Sequence, residues 1–258
     1  MRLDRAAWRV FAGVRQEKDA DSLRRDGSEH LTPLRLDVTD AEQIAAAAKQ
    51  VEAETGGRLD GLVNNAGVAI PGPLETLAIE DFRRQIEVNM TAHVAVTQAM
   101  LPSIRAARGR IVFISSIGGR VALPLTGAYH AAKFGVEAVG DVFRQELRPW
   151  GIRVAIVEPG SIDTPIWERG ESTADELATP EREALYGEAI ESYRKVIRDT
   201  AERGIPAEKV AEAIEHALTA RRPRARYLVG LEAKMGARAR MLLPTPVFDW
   251  IVRRQMSL

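Results

Sequence analysis

The chain has 258 residues, 45% hydrophobic and 28% charged, which is the balance of a folded globular protein long enough for one large α/β domain. Lys+Arg and Asp+Glu both number 36, so no basic excess marks a nucleic-acid binder, and the absence of cysteine removes disulfides, thiolate catalysis and cysteine metal sites. The four histidines (His30, His93, His130 and His216) match no metal-ligand spacing.

The first residues, MRLDRAAWRVFAGVRQEKD, are too charged for a secretory signal, and no run approaches the roughly 18 apolar residues of a membrane span. A cytoplasmic location is expected, and membrane association is not.

Strands and helices alternate along the chain. Arg9–Val14 reads as a short apolar strand, and Leu34, Leu36 and Val38 alternate as a second strand should. Thr39 with Glu42 predicts a capping box that opens a helix running to Thr55, stopped by Gly56-Gly57. Leu59–Val63 is the next strand, leading into Asn64-Asn65-Ala66-Gly67. A long helical segment covers about Glu80–Arg105, with acids in its first turn. Arg110–Ile114 is a β-branched strand ending at Ser115-Ser116; Gly127–Arg148 is helical; Ile152–Val157 is a strand broken by Pro159-Gly160. The segment at about 164–206 is charged, longer than an ordinary connection and lid-like, with Thr179 as N-cap and Pro180 at the first helical position. A helix over Pro206–Ala220 and a strand over Arg226–Val229 follow. This alternation predicts a parallel sheet covered on both faces within a single domain, 1–258.

Tyr129 and Lys133 lie four residues apart on a predicted helix and therefore on one face. A tyrosine at its ordinary pKa near 10 is a poor base at neutral pH, and a neighbouring ammonium favours the phenolate. Ser116 stands at the carboxyl end of an apolar strand, the edge where open α/β sheets bind ligands. Its hydroxyl can donate to a carbonyl oxygen while Tyr129 gives or takes a proton. Strand alternation points Ser115 the other way. The small residues of Asn64–Gly67 let backbone approach a flat ligand, although the same residues also make ordinary turns.

Taken in order, N-N-A-G at 64–67, Asn89, Ser116, Y-x-x-x-K at 129–133 and Pro159-Gly160-x-x-x-Thr164 resemble the motifs of the short-chain dehydrogenase/reductase family over residues 1 to about 230. The resemblance implies a Rossmann-type doubly wound parallel sheet and a catalytic tetrad of Asn89, Ser116, Tyr129 and Lys133. In that family the tyrosine is the acid/base and the serine orients the substrate. The lysine binds the nicotinamide ribose and lowers the tyrosine pKa, and the asparagine holds a water in a proton relay. By the same resemblance Asp37 and Val38 border the adenine, Asn64, Ala66 and Gly67 line the cofactor cleft, and Pro159, Gly160 and Thr164 hold the nicotinamide end. Arg15 stands where family members distinguish cofactors. An arginine there suits the extra phosphate of NADP, the expected cofactor, with NAD as the alternative.

The family's T-G-x-x-x-G-x-G loop, which brings backbone and a helix N-terminus to the pyrophosphate, is absent. The fold is therefore expected to be N-terminally truncated, lacking the first strand and its loop and leaving sheet edges unpaired. Either the sequence starts late, or the short chain is real and binds cofactor poorly.

The tail at about 234–258 is apolar and basic. It suits packing on its own domain or a neighbouring subunit, a cap over an apolar pocket, or weak attachment to an anionic membrane surface. The pattern is most similar to hydroxysteroid and retinol dehydrogenases. It implies a lipophilic secondary alcohol or carbonyl substrate and a homodimer or homotetramer. The competing expectation is an impaired member of the family that serves as a binding or assembly partner.

Overall fold

The structure, a computed structural model, describes residues 1–163 and 179–258. Its strands in chain order are β1 (Val10–Val14), β2 (Leu31–Arg35), β3 (Gly61–Asn64), β4 (Arg110–Ile114), β5 (Arg153–Pro159), β6 (Ile162–Asp163), β7 (Ile205–Pro206) and β8 (Arg226–Val229). The first helices are α1 (Arg2–Arg5), α2 (Glu17–Asp26), α3 (Ala41–Thr55), α4 (Ile79–Ile86), α5 (Ala92–Ala107) and α6 (Gly127–Glu146). They are followed by α7 (Pro180–Arg203), α8 (Ala207–Thr219), α9 (Leu231–Leu242) and α10 (Thr245–Gln255).

Local chemistry sets several boundaries. The carboxylate of Asp40 accepts from the backbone amides of Glu42 at 2.9 Å and Gln43 at 3.1 Å, making Asp40 the N-cap of α3. The capping box expected at Thr39 does not form. Its hydroxyl instead donates to Asp37 at 2.7 Å, so Thr39 belongs to the turn before the helix. Gly56 ends α3 in the left-handed region at φ +62° with no atom in the way of a β-carbon, so its conformation is the reason for glycine there. Thr179 and Pro180 open α7 as the sequence predicts, the threonine accepting from Arg182.

The strands are parallel, and the main ones fall into two sheets. One is β1–β2; the other has the order β3-β4-β5-β8, with β6 and β7 pairing separately. β1 and β3 are not bonded to one another, so each keeps an edge without a ladder partner among the described residues.

Residues 111–114 of β4 are buried on both faces, which fixes it as an interior strand. Ile111 and Phe113 pack with Ile44 of α3, Val96, Met100 and Ile104 of α5 and Val136 of α6. Val112 and Ile114 face the other way, onto Ala217 and Leu218 of α8 and Leu3 of α1. Helices thus cover both faces, the doubly wound arrangement. Phe11 and Leu34 tie the β1–β2 pair into the first of these cores.

Candidate active site

The helical segment expected over about 80–105 is interrupted. A π-helical turn, Glu87–Thr91, separates α4 from α5 and carries Asn89. Asn89 is fully buried, and its side chain clamps Val68, accepting from the backbone N–H at 2.8 Å and donating to the carbonyl at 2.9 Å. Gln85, one turn earlier and equally buried, accepts from the N–H of Ile70 and donates to the carbonyl of Val68, both at 2.7 Å. Two side-chain amides therefore hold the loop after β3. At its start the buried Asn64 donates to Thr97 at 2.9 Å. The carbonyl of Ala66 lies 2.8 Å from His93 Nε2. A β-carbon on Gly67 would meet nothing closer than Asn89 Oδ1 at 3.6 Å, so the protein interior does not itself demand glycine at this point.

Across from this loop, β4 runs out into Ser115 and Ser116. The Ser116 hydroxyl accepts from the Gly118 N–H at 3.0 Å and lies 3.5 Å from the carbonyl of Pro159, at the end of β5. Tyr129 rises from the first turns of α6. Burial pushes its phenol up from the ordinary value, and a hydrogen bond with Ser116 pulls it partly back. The lowering by lysine anticipated from the sequence does not govern here. Lys133 Nζ lies 5.7 Å from the centroid of the Tyr129 ring, and it donates to the carbonyl of Ile114 at 2.8 Å.

Lys133 is 5% exposed, and burial brings it down to about 8, opposed by the charge of Glu137. His93, 2% exposed, is brought down to about 4 by burial and by the positive charge of Lys133, so it is neutral at pH 7. Its Nδ1 is buried with no hydrogen-bond partner among the described residues.

Several contributors depend on residues distant along the chain. A β-carbon on Gly118 would stand 2.9 Å from His130 Nδ1 and 3.0 Å from Tyr129 Cε1, so only glycine lets the Ser116 loop pass this close to α6. Tyr193 of α7 is pushed up by burial and by the charge of Tyr129, so the two phenols are electrostatically coupled. Behind Lys133, Glu137 pairs with Arg226 at 3.1 Å. Arg226 also reaches Asp141 at 2.6 Å and Glu158 at 3.2 Å. Arg120 donates to the fully buried Glu158 at 2.8 Å. Arg144 also pairs with Asp141, so with Lys133 included four cations face three anions in this cluster. Ser115 points into it: a β-carbon on Gly119 would meet Ser115 Oγ at 2.7 Å and Glu137 Cγ at 2.9 Å. Among the described residues no group of three or more His, Asp or Glu side chains is arranged to hold a metal.

The remaining candidates divide between two places. Asp37 is held below the ordinary carboxylate range, first by the N–H and hydroxyl of Thr39, then by Arg15 and Arg84. Arg15, Asp37 and Arg84 therefore share one region past the ends of β1 and β2, Arg84 being an addition to the expected set. Val38 packs against the core. Gly160, at the end of β5, donates to the carbonyl of Val229 at 2.9 Å, and a β-carbon there would approach the N–H of Ala233 at 3.2 Å. Thr164 lies outside the described residues, as does the first part of the lid-like segment.

Residues 1–175 match the family model described as short chain dehydrogenase. The chain is 40% identical over 257 residues to short-chain dehydrogenase/reductase family 9C member 7 of Bos taurus, covering 96% of this chain and 82% of that protein. It is 40% identical over 260 residues to retinol dehydrogenase 7 of Rattus norvegicus, covering 97% and 81%. Over 265 residues it is 38% identical to 17-beta-hydroxysteroid dehydrogenase type 6 of Homo sapiens, covering 98% and 82%. A solved short-chain dehydrogenase from Streptomyces avermitilis superposes with a TM-score of 0.77 at 26% identity, over 98% of this chain and 89% of that one. One from Burkholderia cenocepacia J2315, solved in complex with NADP, shares the fold with a TM-score of 0.71 at 24% identity, over 94% and 86%. The chain belongs to the short-chain dehydrogenase/reductase family and is an NAD(P)-dependent oxidoreductase.

Proposed function

We propose that the enzyme interconverts a lipophilic secondary alcohol and its ketone, or an alcohol and its aldehyde, at Ser116, Tyr129 and Lys133. The observation that carries this reading is the convergence of the Ser116 hydroxyl, at the end of β4, on the phenol of Tyr129, with the buried Lys133 beside the same ring. Two hydroxyls so placed hold one oxygen of a substrate from two sides. Ser116 donates to it, and Tyr129 takes its proton in oxidation or supplies one in reduction. The nicotinamide ring supplies or accepts the hydride when bound. Lys133 has further ammonium protons beyond the one given to Ile114, available for ribose hydroxyls.

Asn89 holds the loop after β3 through both ends of its side-chain amide, so any water in a proton relay would meet its backbone. Asn64, Ala66 and Gly67 would line the cofactor cleft, with Pro159, Gly160 and Thr164 at the nicotinamide end. Arg15 and Arg84 near Asp37 offer two cations where an additional phosphate would sit, which favours NADP over NAD. The substrate class draws support from the relatives named as retinol and 17-beta-hydroxysteroid dehydrogenases.

The test is turnover of retinol and hydroxysteroids by the purified chain, followed through the absorbance of the reduced nicotinamide. Tyr129→Phe is expected to remove about 10²–10⁴ of the rate with the fold intact. Unchanged turnover in that variant sinks the assignment.

A second reading rests on the split between β1 and β3. On it, the 258-residue form binds cofactor poorly and serves as a binding or assembly partner. Titration with NADPH separates the two: saturable binding with turnover supports the enzyme, whereas none supports the partner.

A further inference from the structure

The N-terminal edge of the main sheet, away from the Ser116 end, is rich in arginine. Arg58 precedes β3, Arg105 and Arg108 end α5 just before β4, and Arg148 and Arg153 lead into β5. Arg58 and Arg153 donate to the backbone carbonyls of Ala106 and Arg221 rather than to carboxylates. Basic and acidic residues are equal in number over the whole chain, so this edge is a local concentration of one sign.

Three of these arginines converge. Arg105, Arg108 and Arg148 line one cavity of about 490 Å³ with Trp150 and Gly151, and no carboxylate lines it. Among the described residues none of the three guanidinium groups has a hydrogen bond or an ion pair. Arg105 instead lies over the Trp150 ring, 4.8 Å from its centroid. A guanidinium held over an indole face keeps its in-plane N–H groups free for a bidentate contact.

Arg108 sits in the left-handed region at φ 52° and ψ 42°, the end of α5 where helices favour glycine. Its stem lies against Gly151, whose β-carbon would stand 3.7 Å from Arg108 Cδ. Helix dipoles favour cations at C-termini and account for each arginine singly. They do not account for an arginine kept where the backbone suits glycine, nor for three guanidinium groups on one cavity.

The charge selects the ligand. Three cations held together without an anion repel one another, so the cavity is complementary to a multiply charged oxyanion. A phosphate monoester brings close to two negative charges and three strong acceptor oxygens, which guanidinium forks match in pairs. A carboxylate brings one charge and two oxygens. The volume is that of a small-molecule pocket and leaves room for the organic part of the ester.

We propose that Arg105, Arg108 and Arg148, with Trp150 as the platform for Arg105, form a binding site for a small, water-soluble phosphate monoester. The run from Arg110 to Ser116 puts roughly 20 Å of extended chain between this site and the catalytic serine. The reading is therefore independent of the hydride chemistry.

Glycerol 3-phosphate is titrated into the full 258-residue chain by calorimetry, with glycerol and lactate as the neutral and carboxylate comparisons. Saturable binding is expected for the phosphate ester alone, weakening as salt is raised. Arg148→Ser and Arg108→Gly are each expected to weaken it about tenfold, the loss of one charge-assisted contact. Arg108→Gly should also leave the melting temperature unchanged or raise it, since glycine suits the left-handed backbone. Trp150→Ala should weaken binding by freeing Arg105, and Trp150→Phe, which keeps a ring there, should retain most of it. The proposal is overturned if the ester does not bind saturably, or if lactate binds as well. Binding that the arginine variants leave unchanged overturns it too, as does binding lost instead in Arg84→Ser, which would put the anion near Asp37. Binding to phosphatidic acid vesicles with none to the soluble ester is equally fatal, a lipid headgroup then being the ligand.

Discussion

Lys133 and Glu137 stand one helical turn apart on α6, and Glu137 is the anion that opposes the burial penalty on the lysine. Glu137 is itself fixed by Arg226 at 3.1 Å, and Arg226 is anchored in turn on Asp141 and Glu158. The lysine that faces Tyr129 is thus backed by a buried charge cluster reaching to β5 and β8. Glu137→Gln removes the counter-charge and keeps the shape. Burial already holds Lys133 at about 8, so losing the anion lowers it further. Rate loss caused by deprotonation of this lysine is expected to begin about one pH unit lower in the variant. A pH–rate profile that does not move, at an unchanged melting temperature, contradicts this.

Lys133 imposes a cost on the fold at neutral pH. Its folded value of about 8 lies below the ordinary 10.5, so between those two pH values the unfolded chain binds the extra proton. Stability contributed by this group therefore rises with pH through that window, and the full penalty is present below it. Lys133→Met is expected to be inactive yet more stable at pH 7, by up to about 3 kcal/mol less the lost hydrogen bond to Ile114. Urea titration of the two proteins checks the sign.

His93 works in the same direction at acid pH. Its folded value of about 4 lies below the ordinary 6.5, so the unfolded chain takes up a proton first as the pH falls between them. The protein is expected to lose about 2 kcal/mol from this group between pH 6.5 and pH 5. His93→Gln should flatten that part of the stability profile. Equal slopes in variant and parent would show that the buried ring is not the acid-sensitive group.

Asn89 and Gln85 are expected to matter for stability before chemistry. Asn89→Ala leaves the half-buried amide of Val68 without its acceptor, an expected loss of about 1–2 kcal/mol. Gln85→Ala frees the N–H of Ile70 in the same way, with a similar loss. Both variants should also weaken cofactor binding, because they release the loop that carries Ala66 and Gly67. Denaturant midpoints together with NADPH titration test the pair.

What the sequence shows of this molecule is what is local in it. β4 and β8 have the bounds their β-branched runs imply, and Gly56 and Thr179-Pro180 mark helix ends through their own backbone preferences. Ser116, Tyr129 and Lys133 come together because a strand end and one helix face bring them there. The parts hidden from sequence depend on partners distant along the chain. Gln85 finds its role from Ile70 and Val68, and Tyr193 from Tyr129 on another helix. The charge cluster joins Arg120, Glu137, Glu158 and Arg226, each an ordinary surface residue by type. The π-helical turn has no periodicity of its own and reads as uninterrupted helix. The cap moved from Thr39 to Asp40 because two adjacent residues both suit the position, and only the carboxylate of Asp40 reaches the free amides.

Gly118 supplies the sharpest geometric test. It sits between the Ser116 turn and α6, where a β-carbon would stand within 3.0 Å of both Tyr129 Cε1 and His130 Nδ1. His130 cannot retreat freely, since its two ring nitrogens lie 2.8 Å from the Gly118 carbonyl and 2.9 Å from Thr126. Gly118→Ala must therefore displace Tyr129, the Ser116 turn, or both, at an expected cost of about 1–3 kcal/mol in stability. Reacting groups lose rate steeply when moved by a fraction of an ångström, so a fall in kcat of about a hundredfold is expected. Cofactor affinity should stay near the parent value, because Lys133 and the loop after β3 lie beyond the clash. Gly119→Ala serves as the comparison. Its β-carbon would meet Ser115 Oγ, Glu137 Cγ and the backbone carbonyl of Lys133, and not Tyr129, so it should disturb the charge cluster and the pH profile set by Lys133 more than the rate at the optimum. If the two substitutions proved kinetically indistinguishable, the close passage of the Ser116 turn by Tyr129 would not be what positions the acid/base.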